Sequence, residues 1–113
     1  MSDETETLLR RLISDDQAAA AAVLVRARTS EIPALLVAAA LISGDSGGLR
    51  ARAMARATTT RDRQLVAIAT AHLEGNHDLF DALIRDHLAD HPDNVLAAWI
   101  ATRHAQGHVP FPH

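Results

Sequence analysis

The sequence predicts an all-α fold of about seven helices stacked as antiparallel hairpins, and three observations predict it. No sustained alternation of apolar and polar residues occurs, so no half-buried strand is written into the chain. Apolar residues instead recur at helical spacing in segments separated by turn signals, among them Gly44, Gly75, His91-Pro92 and Gly107. The chain also echoes itself: Ile68-Ala69-Thr70-Ala71-His72-Leu73-Glu74-Gly75 matches Ile100-Ala101-Thr102-Arg103-His104-Ala105-Gln106-Gly107 at five of eight positions, 32 residues apart. Leu12-Ile13-Ser14-Asp15-Asp16 matches Leu41-Ile42-Ser43-Gly44-Asp45 at four of five positions, 29 apart, and Gly44 precedes Gly75 by 31. A unit of roughly thirty residues marks a helical repeat, because one hairpin cannot bury both its faces and needs stacked neighbours.

The elements follow in order. A first helix spans Glu4 to Ile13. A second starts at Asp16, an N-cap type of residue, and runs through Ala18–Arg28, rich in the best helix former. Ser30 caps a third, with Glu31 in its first turn and Pro33 where a missing N–H is harmless. That helix continues to Ile42 apolar nearly all round, which predicts the most buried helix, and Gly44 ends it. Asp45 and Ser46 are candidate caps for a fourth helix, Gly47 to Ala57, which Thr58-Thr59-Thr60 breaks. Thr60 or Asp62 opens the fifth, through Leu73, and Gly75 stops it. Asp78 begins the sixth, whose Leu79, Phe80, Leu83, Ile84 and Leu88 describe one apolar stripe. His91-Pro92-Asp93-Asn94 ends it, since proline disfavours helix at the residue before it. Asn94 caps a seventh helix, Val95 to Gln106. The domain therefore covers 1–108, and Val109 to His113 forms an extended, proline-bracketed tail.

Composition bounds the function. With 23 alanines and few aromatics, the core is built from Ala, Leu, Val and Ile, whose small side chains bring helices close but bury little area each. Absence of cysteine removes disulfides and thiolate metal sites. No 18-residue apolar run occurs, so no membrane span is expected, and the acidic, polar start Met1–Glu6 is the wrong beginning for a secretory signal; the expected location is cytoplasmic. A net charge of −3 argues against nucleic acid as a partner. There is no Gly-x-Ser-x-Gly elbow and no Walker glycine loop; Gly44-Asp45-Ser46-Gly47-Gly48 follows a helix rather than a strand and reads as a connector. No carboxylate pair stands out, so no enzyme and no cofactor are expected.

Arg61 to Asn94 resembles a tetratricopeptide repeat. That family's unit is 34 residues of helix A, turn, helix B and linker. Gly75-Asn76 sits at the turn and His91-Pro92-Asp93-Asn94 at the linker, with the family's distance of 17 from Gly to Pro. Phe80 and His87 stand where the family has small residues, and Gln64 and Ala71 replace bulky positions of helix A. A narrower stretch, from Ile32 to Ala98 at best, is similar to the tetratricopeptide repeat protein 38-like family through Thr60-Arg61-Asp62, Gly75-Asn76 and Asp93-Asn94-Val95-Leu96-Ala97. The resemblance implies a right-handed superhelix of hairpins, a last helix acting as a cap, and a concave face of A helices that holds a peptide or partner protein. The family's carboxylate clamp uses Lys and Asn on helix A; this chain has no Lys, and its Asn76 and Asn94 lie at helix boundaries.

Three groups of residues are candidates for contact chemistry. Arg50, Arg52, Arg56, Arg61 and Arg63 fall within fourteen residues opposed only by Asp62, a local charge of +4 in a chain that carries −7 elsewhere. They are either a solvated face or a recognition patch whose guanidinium forks suit carboxylates or phosphates, with an acidic partner or a second copy of this chain as the expected contact. Trp99, the single tryptophan, is either core or a partner anchor. All seven histidines follow residue 71. His87 and His91 are spaced four apart, which puts two imidazoles on one helix face as a divalent metal requires; His104 and His108 share the spacing, but His108 lies beyond Gly107, outside the helix. Solvated or structural histidines are the plainer reading, and no His-Glu-x-x-His pattern supplies a general base. The function expected is a protein-interaction module; a metal-binding or accessory enzyme subunit using the His-rich half, and a self-assembling structural protein, are the alternatives.

Overall fold

The computed structural model describes residues 3–14, 16–45 and 48–107. The candidate cap Ser46, the start at Gly47, His108 and the tail 109–113 lie outside them. Among the described residues the fold is all-α, with seven helices and no strand: α1 (Asp3–Ile13), α2 (Gln17–Ala27), α3 (Pro33–Ser43), α4 (Leu49–Arg56), α5 (Thr60–Leu73), α6 (His77–Asp90) and α7 (Val95–Gly107). No helix there is long and apolar enough to cross a membrane.

Caps set the boundaries. The Asp16 carboxylate accepts the N–H groups of Ala18 and Ala19 at 3.0 and 3.3 Å, as an N-cap should. Ser30 sits two residues further out than expected: its Oγ accepts the Ile32 N–H, and Ile32 is the N-cap ahead of Pro33. Thr59, not Thr60, caps α5 by accepting the Asp62 N–H at 3.0 Å. Asn76, not Asp78, caps α6, so α6 starts at His77. The fourth helix is shorter than expected, because Gly48 holds a left-handed φ of 69°, which no residue of a right-handed helix adopts. One exit bond recurs: Asp16, Asp45 and Asn76 donate their N–H to the carbonyls of Arg11, Ala40 and Ala71, five residues back, closing α1, α3 and α5 alike.

Consecutive helices pack on one another, and α1–α3, α3–α5 and α5–α7 touch as well. The last helix, α7, also lies on α1, which brings the odd-numbered helices round into a closed set. A Cα radius of gyration of 13.3 Å agrees with the roughly 13 Å of a compact chain this long. As expected, α3 is the most enclosed helix, buried from Leu35 through Leu41. Buried Ala19, Ala27, Ala53, Ala69 and Ala97 let the neighbours approach closely. The stripe of α6 is shallower than its spacing suggests. Only Phe80 of the five is fully buried, Leu83, Ile84 and Leu88 are partly covered, and Leu79 is exposed. Periodicity defines a face of α6, and only part of that face meets α5 and α7.

Candidate functional site

The arginines of residues 50–63 do not form one free patch. Arg50 is half-buried, and its Nε donates to Asp45 Oδ2 at 2.9 Å while its N–H donates to Oδ1. Hydrogen bonds from Arg50 hold the Asp45 carboxyl below the usual range, against the opposing effect of burial, which is the largest single influence. Arg52 Nη2 donates to the carbonyls of Arg28 and Ser30, tying α4 to the end of α2. Arg56 pairs with Glu31 at 3.0 Å, both largely solvated. Arg61 and Arg63 are exposed on the first turn of α5 and pair with no carboxylate among the described residues. The counter-charges, Asp45, Glu31 and, 3.9 Å from Arg50, Glu74, lie outside the window of the five arginines.

A cleft of about 530 Å³ opens where the N-terminal ends of α3, α5 and α7 meet. Ile32, Pro33, Ala34 and Leu65 make its apolar wall, Arg56 and Arg61 stand at its edge, and Glu31, Asp62 and Asn94 complete it. Helices α3, α5 and α7 thus start at one end of the molecule, and the cleft is the space between their first turns. Trp99 is core, with 9% of its surface exposed. Its remaining edge borders a smaller cleft of about 320 Å³ beside Leu12, Ile42 and Arg103, and the Arg103 guanidinium carbon lies 4.8 Å from the ring centroid.

The histidines are placed more pointedly than their spacing indicates. His87, on α6, is fully buried. Asn94 Oδ1 caps α7 by accepting the Ala97 N–H, which turns its Nδ2 to donate to His87 Nε2 at 2.8 Å. His87 Nε2 must therefore be an acceptor, and Nδ1–H donates to Gln64 Oε1 at 2.7 Å. Burial holds His87 below the usual imidazole range, helped by His91 and Arg61 and opposed by Asp90. The rings of His87 and His91 are 4.9 Å apart, but both nitrogens of His87 are committed to protein partners, so a metal there would have to displace one of them.

A second cluster spans three helices. His104 of α7 is buried and stacked on Phe80, with centroids 3.8 Å apart. Its Nδ1 lies 2.9 Å from Nδ1 of His72 on α5, and its Nε2 lies 2.9 Å from Nδ1 of His77 on α6. Burial lowers the His72 value, and His104, Arg103 and His77 lower it further. Each neighbour meets a different nitrogen of His104, so the three lone pairs do not converge. Among the described residues no group of three or more His, Cys, Asp or Glu side chains could hold a metal ion. The 32-residue spacing of the internal echo was the signal for this cluster, since it aligns His72 with His104 and equivalent positions of stacked hairpins become neighbours. Comparison with protein-family models, with curated proteins and with solved structures finds no match for the chain.

Proposed function

We propose that the protein is a non-catalytic interaction module, built as a tetratricopeptide-like array, that holds an extended segment of a partner protein in the cleft at the ends of α3, α5 and α7. The cleft carries this reading. Its apolar wall of Ile32, Pro33, Ala34 and Leu65 beside Arg56 and Arg61 suits a segment with an acidic residue next to apolar ones. Arg61 has no carboxylate partner among the described residues, and the solvated Arg56–Glu31 pair is worth about 0–1 kcal/mol, so an incoming carboxylate displaces Glu31 at little cost. Three observations support the array: the packing of each odd-numbered helix on the next, the common starting end of α3, α5 and α7, and the exit bond repeated at Asp16, Asp45 and Asn76. Because α7 lies on α1, the proposed surface is the ends of the A helices rather than a concave face between them.

Selection of binders from a random peptide library tests the reading. The expected consensus has an acidic residue flanked by apolar ones, and Arg56→Gln with Arg61→Gln weakens its binding about tenfold, the loss of roughly 1.4 kcal/mol, with little change in Tm. A consensus without acidic residues, or one that binds the double variant equally well, would remove the cleft from consideration.

A further inference from the structure

We propose that α7 is an acid-released closing helix, held to α5 and α6 by two histidine latches, one that fails when His87 takes up a proton and one that fails when the His72–His104–His77 chain takes up more than one.

The first latch is at the start of α7. A proton on His87 Nε2 sets N–H against the Asn94 amide N–H. Turning the Asn94 amide over restores that bond only by presenting Nδ2 to the Ala97 N–H, which removes the cap of α7. Either way protonation costs a buried hydrogen bond at the α6–α7 junction. The groups facing His87 are His91 and Asp90 on its own helix, Arg61 and Gln64 on α5, and Asn94 ahead of α7; Asp90 alone favours the charge.

The second latch is near the other end. One proton is accommodated, because doubly protonated His104 donates to neutral Nδ1 atoms of both His72 and His77. A second proton, on His72, leaves two N–H groups facing across its 2.9 Å contact with His104, or repels the charge already there. His77 of α6 and Arg103 of α7 add positive charge around His72, and Phe80 stacks against His104 without offering an acceptor.

Both clusters lie on the surface that fixes α7, and titration acts on them in one direction. Burial holds the folded-state values of His72 and His87 below the ordinary 6.5. As pH falls, the released or unfolded chain therefore binds protons before the docked one. Docking is complete above about 6.5 and weakens as pH falls toward the lowered folded-state values.

Trp99 reports on the event, since it is the only tryptophan, sits on α7 and is 9% exposed. The experiment is an acid titration of the full chain, following Trp99 emission, far-ultraviolet circular dichroism and the ring resonances of the histidines. The expected result is a red shift of emission, with a midpoint shared by His87 or His72, reached before the helix signal collapses. His87→Gln with His72→Gln keeps donor and acceptor atoms but cannot titrate, and should move that midpoint down by about one pH unit or more. Should the double variant fail to fold at neutral pH, the coincidence of the emission and imidazole midpoints in the unmodified chain decides. The proposal is overturned if emission changes only together with the loss of all helix, if its midpoint tracks no histidine, or if a folded double variant titrates like the unmodified chain.

Discussion

Asn94 shows how much one side chain can organise. It ends the α6–α7 linker, caps α7 through Oδ1, and by that same act presents Nδ2 to His87. It is 5% exposed, so neither bond is replaced by water without rearrangement. Asn94→Ala should destabilise by about 2–3 kcal/mol, the sum of a lost cap and a buried imidazole nitrogen left without its donor. Asn94→Ser keeps an oxygen for the Ala97 N–H and should cost only about 1 kcal/mol. Urea denaturation of the two variants at pH 7.5 separates these outcomes; equal losses would mean that the His87 contact contributes nothing. The capping role of Asn94 was legible in the sequence, because an Asn just after Pro92-Asp93 and before an apolar helical run is a start signal. Its bond to His87 was not, since the partner is set by how two helices meet across the linker.

At the level of elements, the sequence was most informative where local rules act alone. All seven helices were readable, and α3 was recognisable as the enclosed one from an apolar sequence with no polar face. Caps shifted by one or two residues at α3, α5 and α6, where several Ser, Thr, Asn or Asp side chains compete for the same N–H groups. The reading of α6 was less complete, because spacing identifies a stripe without saying what covers it. Ile100 of α7 has no exposed surface, whereas Leu83 of α6 is only partly covered. Ile100→Ala should therefore cost about 2–4 kcal/mol, from lost burial plus a residual cavity. Leu83→Ala should cost about 1–2 kcal/mol, in keeping with partial burial. Thermal melts of both variants give the order directly, and a larger loss at Leu83 would place α6, not α7, at the centre of this end of the core. The pairing within the arginine stretch was not legible for a related reason: counting charge along the chain cannot see Glu31, which reaches Arg56 from the turn before α3.

At the level of the whole molecule, the contact between α7 and α1 separates this chain from a row of hairpins with free ends. In an open array a terminal helix touches only its neighbour, and removing it subtracts one increment of stability. Here α7 packs on α1, α5 and α6 together and contributes the buried Leu96, Ala97, Trp99, Ile100 and His104. Its loss would uncover faces on three helices, of which α6 buries only Phe80 and His87, so the remaining core holds little area in reserve. A chain ending at Asp93 should consequently lose cooperative unfolding rather than melt a few degrees lower. It should keep much of its helical circular dichroism, show a broad thermal transition, and bind a hydrophobic dye that the full chain does not. A sharp melt in the shortened chain, with no dye binding, would show that α1 to α6 form a self-sufficient array and that the closure by α7 is an addition to it rather than a condition of the fold.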